Sequence, residues 1–148
     1  MADSPDAKVA DAQAIAEQSA AAMWAEDAAS RGLGMRLDEV RPGCARVSMQ
    51  VRDDMVNGHA ICHGGFVFTL ADSAFAFACN SYNANTVAAG CAIEFLAPSH
   101  EGDVLTATAR ERALVGRNGI YDIDVTNQAG ATIALFRGKS TRIKGHVV

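Results

Sequence analysis

Between Asn57 and Asn80 the chain, NGHAICHGGFVFTLADSAFAFACN, sets a few polar residues into an otherwise apolar run. Asp72 is the one carboxylate there, and an ionised carboxylate in apolar surroundings is costly unless it is paired, hydrogen-bonded or facing a cavity. Such a group suits two tasks at a carbonyl centre: activating water as a general base, or attacking the carbonyl itself to form an anhydride. Gly64 and Gly65, where a polar loop enters a helix, offer the complementary half of that chemistry. Free N–H groups at a helix N-terminus stabilise negative charge growing on a carbonyl oxygen, and glycine lets a reacting group approach the backbone. Asn57 would place the water or the carbonyl, although Asn57-Gly58 is equally a turn pair. His59 and His63 either protonate a leaving group or hold the loop by a side-chain to backbone bond, the second being the simpler reading. Contact with substrate is expected at His63, Gly65 and Ser73, although the Ser73 hydroxyl would serve its own helix equally well.

These groups need a frame. From Phe66 to Ala78 nearly every position is apolar, so the helix carrying Asp72 is expected to be enclosed on all sides. Upstream, Asp11 to Ser30 is rich in helix formers, with Ile15, Met23 and Trp24 as an apolar stripe, and this helix is expected to end near Gly32. Residues 1–10 are expected to be disordered, leaving 11–148 as a single domain. The segments LGMRLDEV and ARVSMQV alternate on either side of Arg41-Pro42-Gly43 and predict an antiparallel hairpin. Four more strands follow the helix: TVAAGCAIEFLA, VLTATARERAL, GIYDIDVTN and TIALFRGKSTRI, separated by breaks at 98–103, 116–119 and 128–130. Strands in succession without intervening helices imply an antiparallel sheet, and only the Asn57–Asn80 helix is apolar enough to cover one of its faces. The fold class is therefore α+β, an antiparallel sheet wrapped around one long central helix.

With 148 residues the chain is long enough for one real hydrophobic core. A net charge of −4 with scattered basic residues argues against nucleic acid and against an anionic membrane surface as partners. The N-terminus has neither a basic region nor a long apolar run, which makes a cytoplasmic location the default. Cys44, Cys62, Cys79 and Cys91 form no Cys-x-x-Cys pair, so no metal site is signalled and free thiols are expected. Cys62 beside His63 is a poor nucleophile–base pair, because adjacent residues on an extended loop point in different directions.

NGHAICHGG followed by LADSAFAFACNS resembles the motif of the PaaI family of hotdog-fold acyl-CoA thioesterases, from phenylacetate degradation. The resemblance continues through IEFLAPS, GDVLTATA, GIYDIDVTNQ and IALFRGKSTRI, nearly everything from Leu33 onward. It implies the hotdog fold and hydrolysis of phenylacetyl-CoA-type thioesters, especially ring-hydroxylated ones. It also implies a dimer of dimers, no metal or other cofactor, and Asp72, Gly64 and Asn57 as the catalytic residues. An acyl-CoA substrate further asks for phosphate contacts, and Arg137 and Lys139 in Arg137-Gly138-Lys139-Ser140 carry the charge for them.

Two other readings compete with this one. A hotdog hydratase or dehydratase would use His59 or His63 with Asp72, and a non-catalytic acyl-CoA-binding module would not need Asp72 at all. Geometry adds one expectation about assembly. Gly64 and Asp72 lie eight residues apart, about 12 Å along a helix, which is too far for both to serve one carbonyl. A two-fold dimer, with Asn57 and Gly64 of one subunit facing Asp72 of the other, resolves this.

Overall fold

The computed structural model describes residues 4–148. The first helix, α1, runs Pro5–Glu26, and the Ser4 hydroxyl caps it by accepting from the Ala7 N–H at 3.2 Å. Ser-Pro is a helix-start signal that outweighs the polar composition, so the expectation of disorder over 1–10 fails for residues 5–10 and lies outside the described residues for 1–3. After Glu26, Asp27 accepts from the Ser30 N–H at 2.9 Å and starts the short helix α2, Ala28–Gly32.

The predicted hairpin is β1 (Arg36–Arg41) and β2 (Cys44–Gln50), turning at Gly43 with φ 71°. A 3-10 turn over Asp53–Met55 and a loop lead into α3, Gly64–Cys79, followed by β3 (Thr86–Phe95), β4 (Val104–Val115), β5 (Asn118–Thr126) and β6 (Thr132–Arg142). The strands form one antiparallel sheet in the order β1-β2-β4-β5-β6-β3. This is the expected α+β architecture.

The helix α3 lies across one face of that sheet, where alternate strand residues such as Val47, Met49, Leu105, Ala107, Ile123, Val125 and Phe136 are buried with its Leu70, Ala71, Ala74 and Phe75. Phe75 sits between Tyr121 and Phe136, with ring centroids 5.5 and 6.0 Å away. Glycine at 138 makes this packing fit, since a Cβ there would lie 2.7 Å from the Phe75 ring.

Within one chain the enclosure of α3 is incomplete, contrary to expectation. The sheet covers one side, and α1 and α2 add Trp24 against Phe77 (6.0 Å between ring centroids) and Ser30 bonded to Ser73 (2.8 Å). Gly65, Thr69, Asp72 and Ala76 recur at helical spacing on a stripe that stays partly or fully exposed. An apolar helix with one open stripe leaves a surface able to take a partner.

The two sheet edges differ in kind. β1 is short and carries Arg36, Asp38, Glu39 and Arg41, and Gln13 of α1 donates to its Val40 carbonyl at 2.9 Å. β3 pairs only with β6, and along its open side Val87 to Ala92 are exposed and uncharged. An unguarded apolar edge of that length is a template for another strand. Among the described residues no helix is long and apolar enough to cross a membrane.

Candidate active site

The loop before α3 is held by backbone bonds on both sides. The Cys62 N–H donates to the Ser99 carbonyl and the His63 N–H to the Met55 carbonyl, each at 2.8 Å. Inside the loop the Asn57 side-chain oxygen accepts from the His59 N–H at 2.9 Å, a turn that carries Ala60 at φ 58°. Asn57 is thus both the turn residue and a wall residue, because it lines a cavity of about 430 Å³ together with Gly64, Val67, Phe95, Leu96 and Ile133. His63 caps α3, its Nδ1 accepting from the Gly65 N–H at 2.9 Å. That bond gives His63 the loop-holding role and spends the Gly65 N–H. The N–H of Gly64 has no acceptor among the described residues, so of the two glycines it alone offers a donor to a ligand.

Asp72 sits at the middle of α3 on the open stripe, half-buried, with no hydrogen bond or ion pair to its side chain among the described residues. Burial alone pushes its carboxyl above the usual value, so the group is a stronger base than a solvated aspartate. Its charge is felt by two thiols. Cys79, pushed up to about 12 chiefly by burial, and Cys91 on β3 are both raised further by Asp72. Burial likewise raises Cys62, which removes it as a thiolate nucleophile at neutral pH.

The cavity that holds Asn57 and Gly64 does not include Asp72, in line with about 12 Å of helix between Gly64 and Asp72. Ser73, Arg137 and Lys139 do not line the cavity that holds Asn57 and Gly64. The Ser73 hydroxyl is engaged by Ser30 and ties α3 to α2. Arg137 and Lys139 are exposed between buried Phe136, Gly138 and Ser140, so they point from the sheet face opposite to α3. Arg137 is also committed there, to Asp122 at 2.6 and 2.8 Å. Arg137-Gly138-Lys139-Ser140 is a strand with alternating faces, with its glycine set against Phe75. Phe95, whose ring lies over Gly64, and Cys91 near Asp72 were not singled out from sequence.

The thioesterase superfamily profile matches residues 59–134, the span from the loop before α3 to the start of β6. The chain belongs to the thioesterase superfamily. It is 49% identical over 130 residues, 88% of this chain and 93% of the relative, to the acyl-coenzyme A thioesterase PaaI of Escherichia coli. The solved structure of the E. coli PaaI protein from the phenylacetic acid degradation operon superposes with a TM-score of 0.89 at 48% identity, covering 90% of this chain and 97% of that one. A point mutant of the phenylacetic acid degradation protein PaaI from Thermus thermophilus superposes with a TM-score of 0.74 at 36% identity, covering 77% of this chain and 97% of that one.

For a thioesterase the division of labour is chemically sensible. An N–H that is free and fixed at a helix start meets developing oxyanion charge without reorganising. A desolvated carboxylate without a partner is suited to act as a base or nucleophile.

Proposed function

We propose that this thioesterase hydrolyses acyl-CoA thioesters of the phenylacetyl type, in phenylacetate degradation, at a site shared by two subunits. The single observation that carries the reading is Asp72, an unpartnered, desolvated carboxylate on the open stripe of the helix whose first N–H is also unused. As water attacks the thioester carbon, Asp72 takes its proton and the Gly64 N–H meets the charge on the carbonyl oxygen. The C–S bond then breaks, the CoA thiolate leaves and takes up a proton, and the carboxylic acid departs. In the alternative route Asp72 attacks first, forms the anhydride with loss of thiolate, and water then cleaves the anhydride.

Two bare β3 edges meeting about a two-fold axis would extend the sheet and bring the open stripe of α3 against the partner. Asp72 of one subunit then faces Asn57 and Gly64 of the other. Four free cysteines fit a reducing, cytoplasmic setting.

The deciding experiment is thiol release from phenylacetyl-, hydroxyphenylacetyl-, benzoyl- and straight-chain-CoA. Fastest turnover of the arylacetyl thioesters is expected, and hydration of enoyl-CoA without thiol release would overturn the reading. A single turnover in ¹⁸O-water then separates the two routes, since only the anhydride route can place label in the Asp72 carboxyl.

A further inference from the structure

The chain has six phenylalanines, and five of them have an aromatic or imidazole neighbour: Phe66 with His63, Phe68 and Phe75 with Phe136, and Phe77 with Trp24. Phe95 alone has none among the described residues, and it is 55% exposed. Its ring tip lies directly over Gly64, where a Cβ would come within 3.0, 3.2 and 3.6 Å of three ring carbons. The ring stands on a fixed base. Phe95 is paired in register with Ala134 of β6, and the next residue, Leu96, donates to the Ile133 carbonyl at 2.9 Å. Phe95 and Gly64 both line the cavity that holds Asn57.

From these positions we infer that Phe95 is the residue that selects an aromatic acyl group, its ring forming one wall for the substrate's own ring. This rests on the acyl-CoA thioesterase reading of the same site. A carbonyl oxygen bound to the Gly64 N–H lies roughly 3 Å from that nitrogen, which leaves the first atoms of the acyl chain in contact with the Phe95 ring. A phenyl group carried on one methylene then falls in the range of about 4.5–7 Å between centroids at which aromatic rings attract edge-to-face or offset. A straight-chain acyl group fills the same space without that attraction.

The test is the ratio of kcat/KM for phenylacetyl-CoA to that for hexanoyl-CoA in wild type, Phe95→Leu and Phe95→Tyr. The side chain is half in solvent, so Leu is tolerated by the fold, and circular dichroism and light scattering verify fold and assembly. Phe95→Leu should lower the ratio by about two- to tenfold, the range measured for aromatic pairs, and Phe95→Tyr should hold it near the wild-type value. An unchanged ratio in Phe95→Leu, or an equal loss in Phe95→Tyr, overturns the assignment. Calorimetric binding of the same two thioesters to Asp72→Asn, with and without Phe95→Leu, reads the contact without turnover. If wild type cleaves neither thioester but this binding ratio still depends on Phe95, the thioesterase reading falls and the Phe95 assignment stands. If binding shows no preference for the aromatic thioester, the Phe95 assignment falls whatever the activity.

Discussion

Replacing Asp72 by Asn should make the enzyme worse and the fold better. Among the described residues the carboxylate has no hydrogen bond or ion pair, and burial alone raises it above its ordinary value of 3.8. A group raised in the folded state binds its proton more tightly there than in the unfolded chain. Its contribution to stability is therefore fully present below the unfolded value and lost as pH rises through the folded one. At neutral pH every tenfold weakening of this acid costs the fold about 1.4 kcal/mol, a cost that Asn does not carry. Urea melts of wild type and Asp72→Asn at fixed subunit concentration should show the variant more stable at pH 7, with the gap closing as the pH falls below 3.8. Thiol release by the same preparation should drop by about 10²–10⁴, the contribution of a positioned base. A variant less stable than wild type at pH 7 would show that the assembled protein gives this carboxylate a favourable partner. Near wild-type turnover would remove Asp72 from the chemistry.

Mixing two inactive proteins, Asn57→Ala and Asp72→Asn, and letting subunits exchange should restore up to about a quarter of wild-type activity, because half the dimers then hold one intact site of two. No recovery after exchange verified by mass spectrometry would place both groups in one chain. Gly138→Ala should cost about 1–3 kcal/mol by overpacking, since its Cβ would lie 2.7–2.8 Å from three Phe75 ring carbons. Thermal melts should show part of that cost relieved by Phe75→Leu. His63→Ala, which removes the cap on Gly65, should lower stability by about 0.5–2 kcal/mol and reduce thiol release without abolishing it. Complete loss of activity in a folded His63→Ala protein would give the histidine a proton-transfer role.

The strands and α3 were legible because their hydrophobic periods differ cleanly and glycine- or proline-bearing breaks separate them. Tyr121, Ile123 and Val125 alternate with Asp122 and Asp124, and the burial of β5 follows that alternation residue by residue. Asp72 stood out for the converse reason, a charge inside an apolar period. The start of α1 was misread because composition was given more weight than the local Ser4-Pro5 signal. Arg137 and Lys139 carry the charge that an acyl-CoA asks for, and their alternation with buried Phe136 and Gly138 sets them on the sheet face away from α3. Whether the Gly64 or the Gly65 N–H is free could not be read from sequence. It depends on the rotamer of His63, which packs against Phe66 with ring centroids 6.2 Å apart. Phe95-Leu96 held an unused signal, because two large apolar residues side by side at a strand end both stay exposed.

In the proposed dimer the unequal edges of the sheet would also limit how far strand pairing can extend. Were both bare, subunits would add to either side and the product would be an open fibre. Here α1 and the charges of β1 guard one side, so two sheets joined as proposed through β3 would leave only guarded edges, and growth by strand addition would end at that first step. The vulnerable moment comes before that step. A chain not yet paired as proposed leaves Val87 to Ala92 uncovered, and any strand-forming segment it meets would compete with the proposed partner. Slow assembly, more than weak folding, is then the route by which this protein would be lost to aggregation.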